Sequence, residues 1–165
     1  MTSLPASVLD FAERSPAEDM ALAILRDYLP DVEVKSLLAE DQQFPVVLAR
    51  RSPTFGVRDP DPRFIDFATI AVSVFVDGVE ADSDGAILSD AVRKAFFQAC
   101  LEQKVYPGIG HLHRVKMAST PKRVTDWASS VGPVQYADLP TNVLRYESAF
   151  DLEIRIPNTP FYSTL

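Results

Sequence analysis

The residues of this chain that could carry chemistry lie in one short acidic turn and in one pair of histidines. The turn reads EADSDG over residues 80–85, so carboxylates occupy alternate positions and a glycine follows them. This pattern matches the first half of a calcium-binding loop. The second half does not match, because Ala91 stands where the bidentate glutamate should be. Carboxylates also stabilise the positive end of a helix, so we interpret Asp82, Ser83 and Asp84 as helix-capping residues.

The two histidines, His111 and His113, are the only ones in the chain and lie in a predicted strand. Alternate strand residues share a face, so both imidazoles could be presented to one metal ion. A competent site needs at least one further ligand. Neither the single Cys100 nor a carboxylate is placed by the sequence to supply it. We therefore expect ordinary strand histidines, with no metal and no cofactor.

Other catalytic signatures do not occur in the sequence. It contains no nucleophile elbow and no cysteine protease signature. The six glycines are scattered, so no glycine-rich phosphate-binding loop is formed. The sequence predicts a protein that is not an enzyme. An enzyme built from the acidic turn and the two histidines remains the alternative.

The longest regular pattern is the segment Val143–Ile156, which alternates apolar and charged residues. Such alternation predicts a strand with one apolar face and one charged face. At roughly 3.3 Å per residue the strand would reach about 45 Å, which exceeds what a small domain needs. We predict that the charged face belongs to a wall built jointly by several subunits, either lining it or making salt bridges between subunits; an ordinary antiparallel strand with one wet face is the alternative. The charged residues are Arg145, Glu147, Asp151, Glu153 and Arg155.

Composition indicates one domain over residues 1–165, since 165 residues of which 47% are hydrophobic can bury one core. Residues 1–15 are predicted to form an N-terminal arm or short helix, and residues 157–165 an extended C-terminal arm. The 23 acidic and 16 basic residues argue against a protein that grips nucleic acid. An acidic surface suits a channel through which DNA slides. The lone Cys100 fits a reducing cytoplasm, and we expect no signal peptide or membrane anchor.

Helical and strand periodicities predict an α/β (α+β) fold with a mainly antiparallel sheet, long strands and two main helices. Strands 32–37 and 44–51 are expected to form a hairpin, and a long connection is expected over residues 119–142. The predicted helices cover residues 6–14, 16–29 and 84–103, and the other predicted strands cover 64–76, 111–118 and 143–156.

Four aromatic residues lie where the sequence predicts loops or an arm. Phe55 lies in a proline-rich loop, Trp127 in the long connection, and Phe161 and Tyr162 in the C-terminal arm. Buried aromatic anchors often dominate the energy of an interface, so these four residues are docking candidates. Packing onto their own subunit is the alternative for each.

Three runs carry a resemblance to a known family: FIDFATIAVSVFVDG, SDGAILSDAVRKAFFQACLEQ and YESAFDLEIRIP. In this order of elements the chain resembles the tail terminator (tail completion) proteins of long-tailed siphophages, particularly those of actinobacterial phages. The resemblance covers roughly residues 16–157. It rests on element order and hydrophobic pattern, since the family has no invariant catalytic motif.

The resemblance implies a structural virion protein whose subunits assemble into a hexameric ring. The ring is expected to cap the tail tube, to end its polymerisation and to offer its other face to the head-tail connector or neck protein. Genomic DNA is expected to pass through without sequence-specific binding, and assembly is expected in the host cytoplasm. The alternatives are another neck or adaptor protein and a cytosolic ligand-binding α/β domain with an apolar pocket.

Overall fold

The fold combines one mixed sheet with helices packed on it, which confirms the predicted α+β class. The computed structural model describes residues 3–12, 16–53, 64–124 and 142–157. The elements are α1 (Ala6–Phe11), α2 (Ala17–Tyr28), β1 (Glu33–Lys35), β2 (Val46–Ser52), β3 (Ile65–Val76), α3 (Ala81–Glu102), β4 (Val105–Tyr106), β5 (Gly110–Val124) and β6 (Leu144–Arg155).

The six strands of the sheet follow the order β1-β2-β3-β6-β5-β4. Only the β1–β2 pair is parallel; the other neighbours are antiparallel. Strands β3 and β6, each of twelve residues, pair without interruption, from Ile65 opposite Arg155 to Val76 opposite Leu144. Thus β6, the long alternating strand predicted from sequence, lies inside the sheet between β3 and β5.

The main core lies between one face of the sheet and the helices α2 and α3. The apolar side of β6 contributes buried Phe150 and Leu152, as its alternation predicted. The ring of Phe150 packs against Phe96 of α3, with 4.8 Å between ring centroids. Helix α2 buries Ile24 and Leu25 in the same cluster. Because burial of apolar surface is the main driving force of folding, these helical and strand stripes determine which face each element presents.

A second, smaller apolar cluster lies on the other face of the sheet and explains one wrong prediction. Strands β1 and β2 do not form the predicted hairpin, because they pair in parallel. The connection between them carries Leu38 and Phe44, which pack against the second cluster. The chain therefore crosses back over the sheet before β2 begins. The buried members of the cluster are Val46, Leu48, Phe75 and Val143.

The helix starts also differ from prediction. Helix α2 has Pro16 as its N-cap residue instead of its first helical residue, and the predicted cap Ser15 lies outside the described residues. Helix α3 begins at Ala81, three residues before the predicted start, and its N-cap Glu80 makes no side-chain capping bond. Asp82 and Asp84 therefore act in the first turn, where carboxylates interact favourably with the helix dipole.

Strand β5 extends beyond its predicted end at residue 118 and continues to Val124. Pro121 lies within it, which is compatible with an edge strand because proline cannot donate a ladder hydrogen bond. Irregular pairing with β6 occurs around His113, Ala118 and Thr120. Among the described residues, β5 pairs on its outer side only with the two-residue strand β4, which the sequence did not predict.

A polar network joins the ends of α2 and α3 to β4. The Tyr28 hydroxyl donates to Glu102 Oε2 at 2.6 Å, and Tyr106 donates to Asp27 Oδ2 at 3.0 Å. Lys104 Nζ lies 2.5 Å from the same Asp27 oxygen. Burial and the bond to Glu102 raise the pKa of Tyr28 to about 12. Burial and Asp27 likewise raise the pKa of Tyr106.

Candidate functional site

The candidate site is the face of the sheet opposite α2 and α3, which we call the open face. All five predicted charged residues of β6 lie on it, because they alternate with the buried apolar residues. Their exposure differs along the strand. Arg145 is fully buried, the three carboxylates are half-buried and Arg155 is exposed. The accessible charged wall is therefore shorter at one end than the sequence predicted. The three carboxylates are Glu147, Asp151 and Glu153.

Strand β5 adds a row of cations beside the carboxylates of β6. Residues directly opposite one another on neighbouring strands share a face, so the register determines which charges meet. It matches three bases of β5 to three acids of β6, in the pairs Lys122–Glu147, Lys116–Asp151 and Arg114–Glu153. The open face consequently carries both signs in neighbouring rows. Sequence reasoning missed this row of bases because it ended the strand at residue 118 and could not place the bulges. A signal was present, since β5 holds bases and no acids.

Arg145 lies at the junction of the open face and the second apolar cluster. It is directly opposite Phe75 on β3 and Val124 on β5. Its Nη1 atom is 3.3 Å from Oε1 of Glu147, its neighbour on the same face. A fully buried guanidinium is costly to desolvate and needs such partners. Arg145 thus supports the structure of this end of the sheet, and it does not contribute an accessible charge to the wall.

Asp151 is held in place by a bond across the sheet. The hydroxyl of Thr69, directly opposite on β3, donates to Asp151 Oδ1 at 2.7 Å. Thr69 is buried, so the bond lies partly out of solvent. The carboxylate is therefore positioned from one side by β3, while Lys116 stands opposite it on β5.

The acidic turn joins α3 to the sheet. The Tyr146 hydroxyl donates to the backbone carbonyl of Asp82 at 3.0 Å and to its side-chain oxygen Oδ1 at 2.5 Å. Arg123 Nη1 lies 3.3 Å from that oxygen. Burial and the bond to Asp82 raise the pKa of Tyr146. The turn thus joins α3 to the sheet, because Asp82, one of its three carboxylates, contacts Arg123 of β5 and Tyr146 of β6.

The histidines lie at the far end of β5. His111 is opposite Arg155, whereas His113 falls at a bulge that interrupts the simple alternation. Burial, Arg155 and the neighbouring His113 lower the pKa of His111. The thiol of Cys100 lies 3.5 Å from the carbonyl oxygen of His113 and is half-buried. Within the described ranges, no group of three histidine, cysteine or acidic side chains could hold a metal ion.

The docking candidates cannot be placed by the described structure. Phe55, Trp127, Phe161 and Tyr162 all lie outside the described residues. The proposal that they anchor the protein to a partner stays a prediction.

A groove beside α3 was not anticipated from the sequence. It has a volume of about 280 Å³ and opens between the first half of α3 and the chain ends of β3 and of the β1–β2 segment. Two carboxylates, Asp77 and Asp84, belong to an otherwise apolar lining. The apolar lining residues are Val32, Pro45, Val76, Ile87, Leu88 and Ala91.

No protein-family model matches this chain, and no curated protein matches it. In the part of the chain that the structure describes, no helix is both long enough and apolar enough to cross a membrane.

Proposed function

We propose that this chain is the subunit of a closed ring that caps the tail tube of a long-tailed phage and joins the tail to the head. The ring is hexameric in this proposal, in line with the resemblance. Its partners are the tail tube protein on one side and a head-tail connector or neck protein on the other. The protein acts structurally in the virion tail after assembly in the host cytoplasm.

The observation that carries this proposal is the mixed charge of the open face. Three carboxylates of β6 stand opposite three cations of β5, and the face belongs to strands of twelve and fifteen residues. A surface that holds DNA concentrates basic residues, because affinity comes from neutralising phosphates. A surface of balanced sign offers passing DNA little net attraction. This is the property required of a channel wall through which a genome must move.

The position of β6 limits how subunits can build such a wall. Its backbone is already paired on both sides, with β3 and with β5. A neighbouring subunit cannot add a strand to it, so β6 contributes through its open face alone. The wall is therefore assembled from sheet faces placed side by side, and the contact between neighbouring subunits lies at the sheet edges or on the helix side.

Termination follows from the geometry of a ring. A tube grows by repeating one interface, so a subunit that matches the tube on one side and lacks that surface on its other side stops growth. Head-to-tail contacts within a closed ring leave two different faces above and below the plane. One face can match the tube and the other can present a new surface to the neck.

The experiment that tests the proposal combines mass measurement with electron microscopy. We expect light scattering to give about 109 kDa, six times the 18.2 kDa subunit, or a monomer that forms rings on the ends of isolated tail tubes. A protein that remains monomeric and leaves tube ends bare would refute the proposal. Rings found at the portal side, and not on tube ends, would identify another neck component.

One observation favours a second candidate, a ligand-binding α/β domain. The groove beside α3 has a volume of about 280 Å³, which is just below the range of roughly 300–1,000 Å³ typical of small-molecule sites. Its apolar lining and two carboxylates suit an apolar amine. Thermal shift screening with hydrophobic amines tests this candidate, and a monomer stabilised by such compounds would favour it over the ring.

A further inference from the structure

Acidic and basic residues are concentrated in two different parts of the chain, which meet at one point, where Arg123 Nη1 lies 3.3 Å from Asp82 Oδ1. Residues 77–90, which form the turn after β3 and the first half of α3, contain five acidic residues and no basic residue. Strand β5 contains four basic residues and no acidic residue. A molecule with two surfaces of opposite sign can bind a second copy of itself through them. The acids are Asp77, Glu80, Asp82, Asp84 and Asp90, and the bases are Arg114, Lys116, Lys122 and Arg123.

The acidic part contains the groove, and its chemistry specifies the kind of side chain that fits. The lining is apolar apart from Asp77 and Asp84, both exposed. Ile87 of the lining is 65% exposed, and Val79, in the same turn as Asp77, is fully exposed. Lysine and arginine carry an apolar stem and a charged head, so they cover apolar surface while the head stays near carboxylates and water. The groove therefore suits the long basic side chains of a partner.

The basic part lies on the opposite edge of the sheet. The groove is next to the β1–β2 side, because Val32 directly precedes β1 and Pro45 directly precedes β2. Strand β5 is next to last at the other edge, where Arg114 and Lys116 are exposed. Along this strand the described residues beyond His111 have no outer strand partner. Asp77 and Asp84 of the groove thus lie toward one edge of the sheet, and Arg114 and Lys116 of β5 lie toward the other.

The two edges of the sheet also differ in what prevents another strand from pairing with their backbone groups. At the β2 edge, Glu18 Oε1 accepts the backbone N–H of Arg51 at 2.8 Å, and the Arg50 guanidinium donates to the carbonyl oxygen of Ser36 at 2.7 Å. At the β5 edge, the bulges and Pro121 interrupt any long ladder, and such features protect edge strands from uncontrolled pairing. Contact between the two edges is therefore made by side chains and depends on charge.

We propose that the groove beside α3 of one copy binds the basic β5 edge of a second copy. Arg114 and Lys116, which border the open face at this edge, are directed toward Asp77 and Asp84 of the copy that supplies the groove and stay beside Glu153 and Asp151 of their own β6. The interface is head-to-tail, since it joins two different surfaces. Head-to-tail contacts generate rings when the rotation closes. This contact would join neighbouring subunits of the proposed ring. Only its closure into a ring rests on the proposed function. The contact itself is a property of the purified protein and can be tested without a tail tube.

The test uses two neutralised variants and their mixture, followed by sedimentation velocity at low and at physiological salt. Asp77→Asn with Asp84→Asn removes the groove carboxylates, and Arg114→Gln with Lys116→Gln removes the edge cations. Asp41→Asn, on the exposed connection between β1 and β2, and Lys94→Gln, on the exposed side of α3, are the matched controls. Thermal unfolding of every variant checks that it is folded.

We expect wild type and both controls to self-associate more weakly as salt rises, and each double variant to associate at least about tenfold more weakly than wild type. A mixture of the two double variants has one intact groove and one intact edge. We expect this mixture to form a heterodimer and no larger species. A symmetric two-fold interface cannot give that result. Folded double variants that associate like wild type would overturn the interface, as would a wild type monomeric at low salt and millimolar concentration. Rings that still cap tubes in either case would show that the proposed function stands with a different contact.

Discussion

The ring of Tyr146 on β6 lies directly against Gly85 in α3, and no side chain fits between them. A methyl group added at position 85 would stand 2.3 Å from Tyr146 Cε2. The glycine lets α3 approach the sheet closely enough for the Tyr146 hydroxyl to reach Asp82. Gly85, which ends the half calcium loop in the sequence, is therefore required for packing.

Gly85→Ala should destabilise the protein by about 1–3 kcal/mol, as expected for overpacking a closed contact. Urea denaturation measures the change. In a Tyr146→Val background the same substitution should cost much less, because the ring that it meets is gone. If Gly85→Ala lowers the free energy of unfolding equally in both backgrounds, the contact with Tyr146 is not the cause of the loss.

Gly110→Ala should be more damaging than Gly78→Ala. Both glycines have positive φ, at 114° and 92°. A Cβ at position 110 would lie 2.1 Å from the carbonyl oxygen of Arg155, whereas nothing lies within 4 Å of one at position 78. The Gly78 variant measures backbone strain alone, roughly 1–2 kcal/mol. Similar denaturation midpoints for the two variants would contradict the close approach of β5 to the end of β6.

The pairing of charges on the open face predicts that Arg114→Glu is destabilising, because it places two acids opposite one another on β5 and β6. Cross-strand charge pairs contribute about 0.2–1 kcal/mol, and like charges cost similar amounts. The swap Arg114→Glu with Glu153→Arg should restore most of the loss. Urea denaturation at low and high salt gives the comparison, and salt should reduce the difference. If the double variant is no more stable than Arg114→Glu alone, Arg114 does not lie opposite Glu153.

Stability at alkaline pH should depend on Tyr28. Its folded pKa is about 12, above the ordinary value of 10.0. The folded state therefore holds the proton more tightly, so this contribution is complete below pH 10 and is lost as pH rises toward 12. The Tyr28→Phe variant should lose less stability than wild type as pH rises over that range. It should still lose some, because the pKa values of Tyr106 and Tyr146 are also raised. Identical pH profiles of Tyr28→Phe and wild type would contradict the shift.

Glu153→Lys distinguishes the two roles considered for the charged face. If the face lines the channel, a ring carrying the variant gains twelve units of positive charge across six copies and should retain DNA in a salt-sensitive way. If the face instead makes salt bridges between subunits, the ring should dissociate. Filter binding and light scattering on the same sample separate these results, with Glu153→Gln as the control for loss of the carboxylate alone.

Much of the fold could be predicted because its long elements repeat one period without interruption. The alternation over β6 indicated both the strand and its buried face, and residues 64–76 and 84–103 were predicted as a strand and a helix; the structure confirms these elements. The parallel pairing of β1 with β2 could not be predicted. It depends on Leu38 and Phe44 packing on the far side of the sheet, and no local signal in the sequence encodes that crossing.

The site was predicted only in part. The charges of β6 were found because they alternate with apolar residues, but the burial of Arg145 depends on neighbouring strands, which a single segment does not specify. The cations of β5 were missed because bulges shift their register relative to β6. The groove beside α3 is built from four separate parts of the chain, so no motif marks it.

The central place of β6 has a consequence for the order of events during protein synthesis. The sheet remains divided into two halves until residues 144–155 have left the ribosome, because β3 and β5 each pair with β6 and not with each other. A nascent chain shorter than this exposes two long unpaired strand edges and the core residues that β6 would cover. Such intermediates aggregate readily. Folding is therefore postponed until β6 has been made, and chains truncated before residue 144 should be captured by chaperones or degraded instead of accumulating as stable fragments.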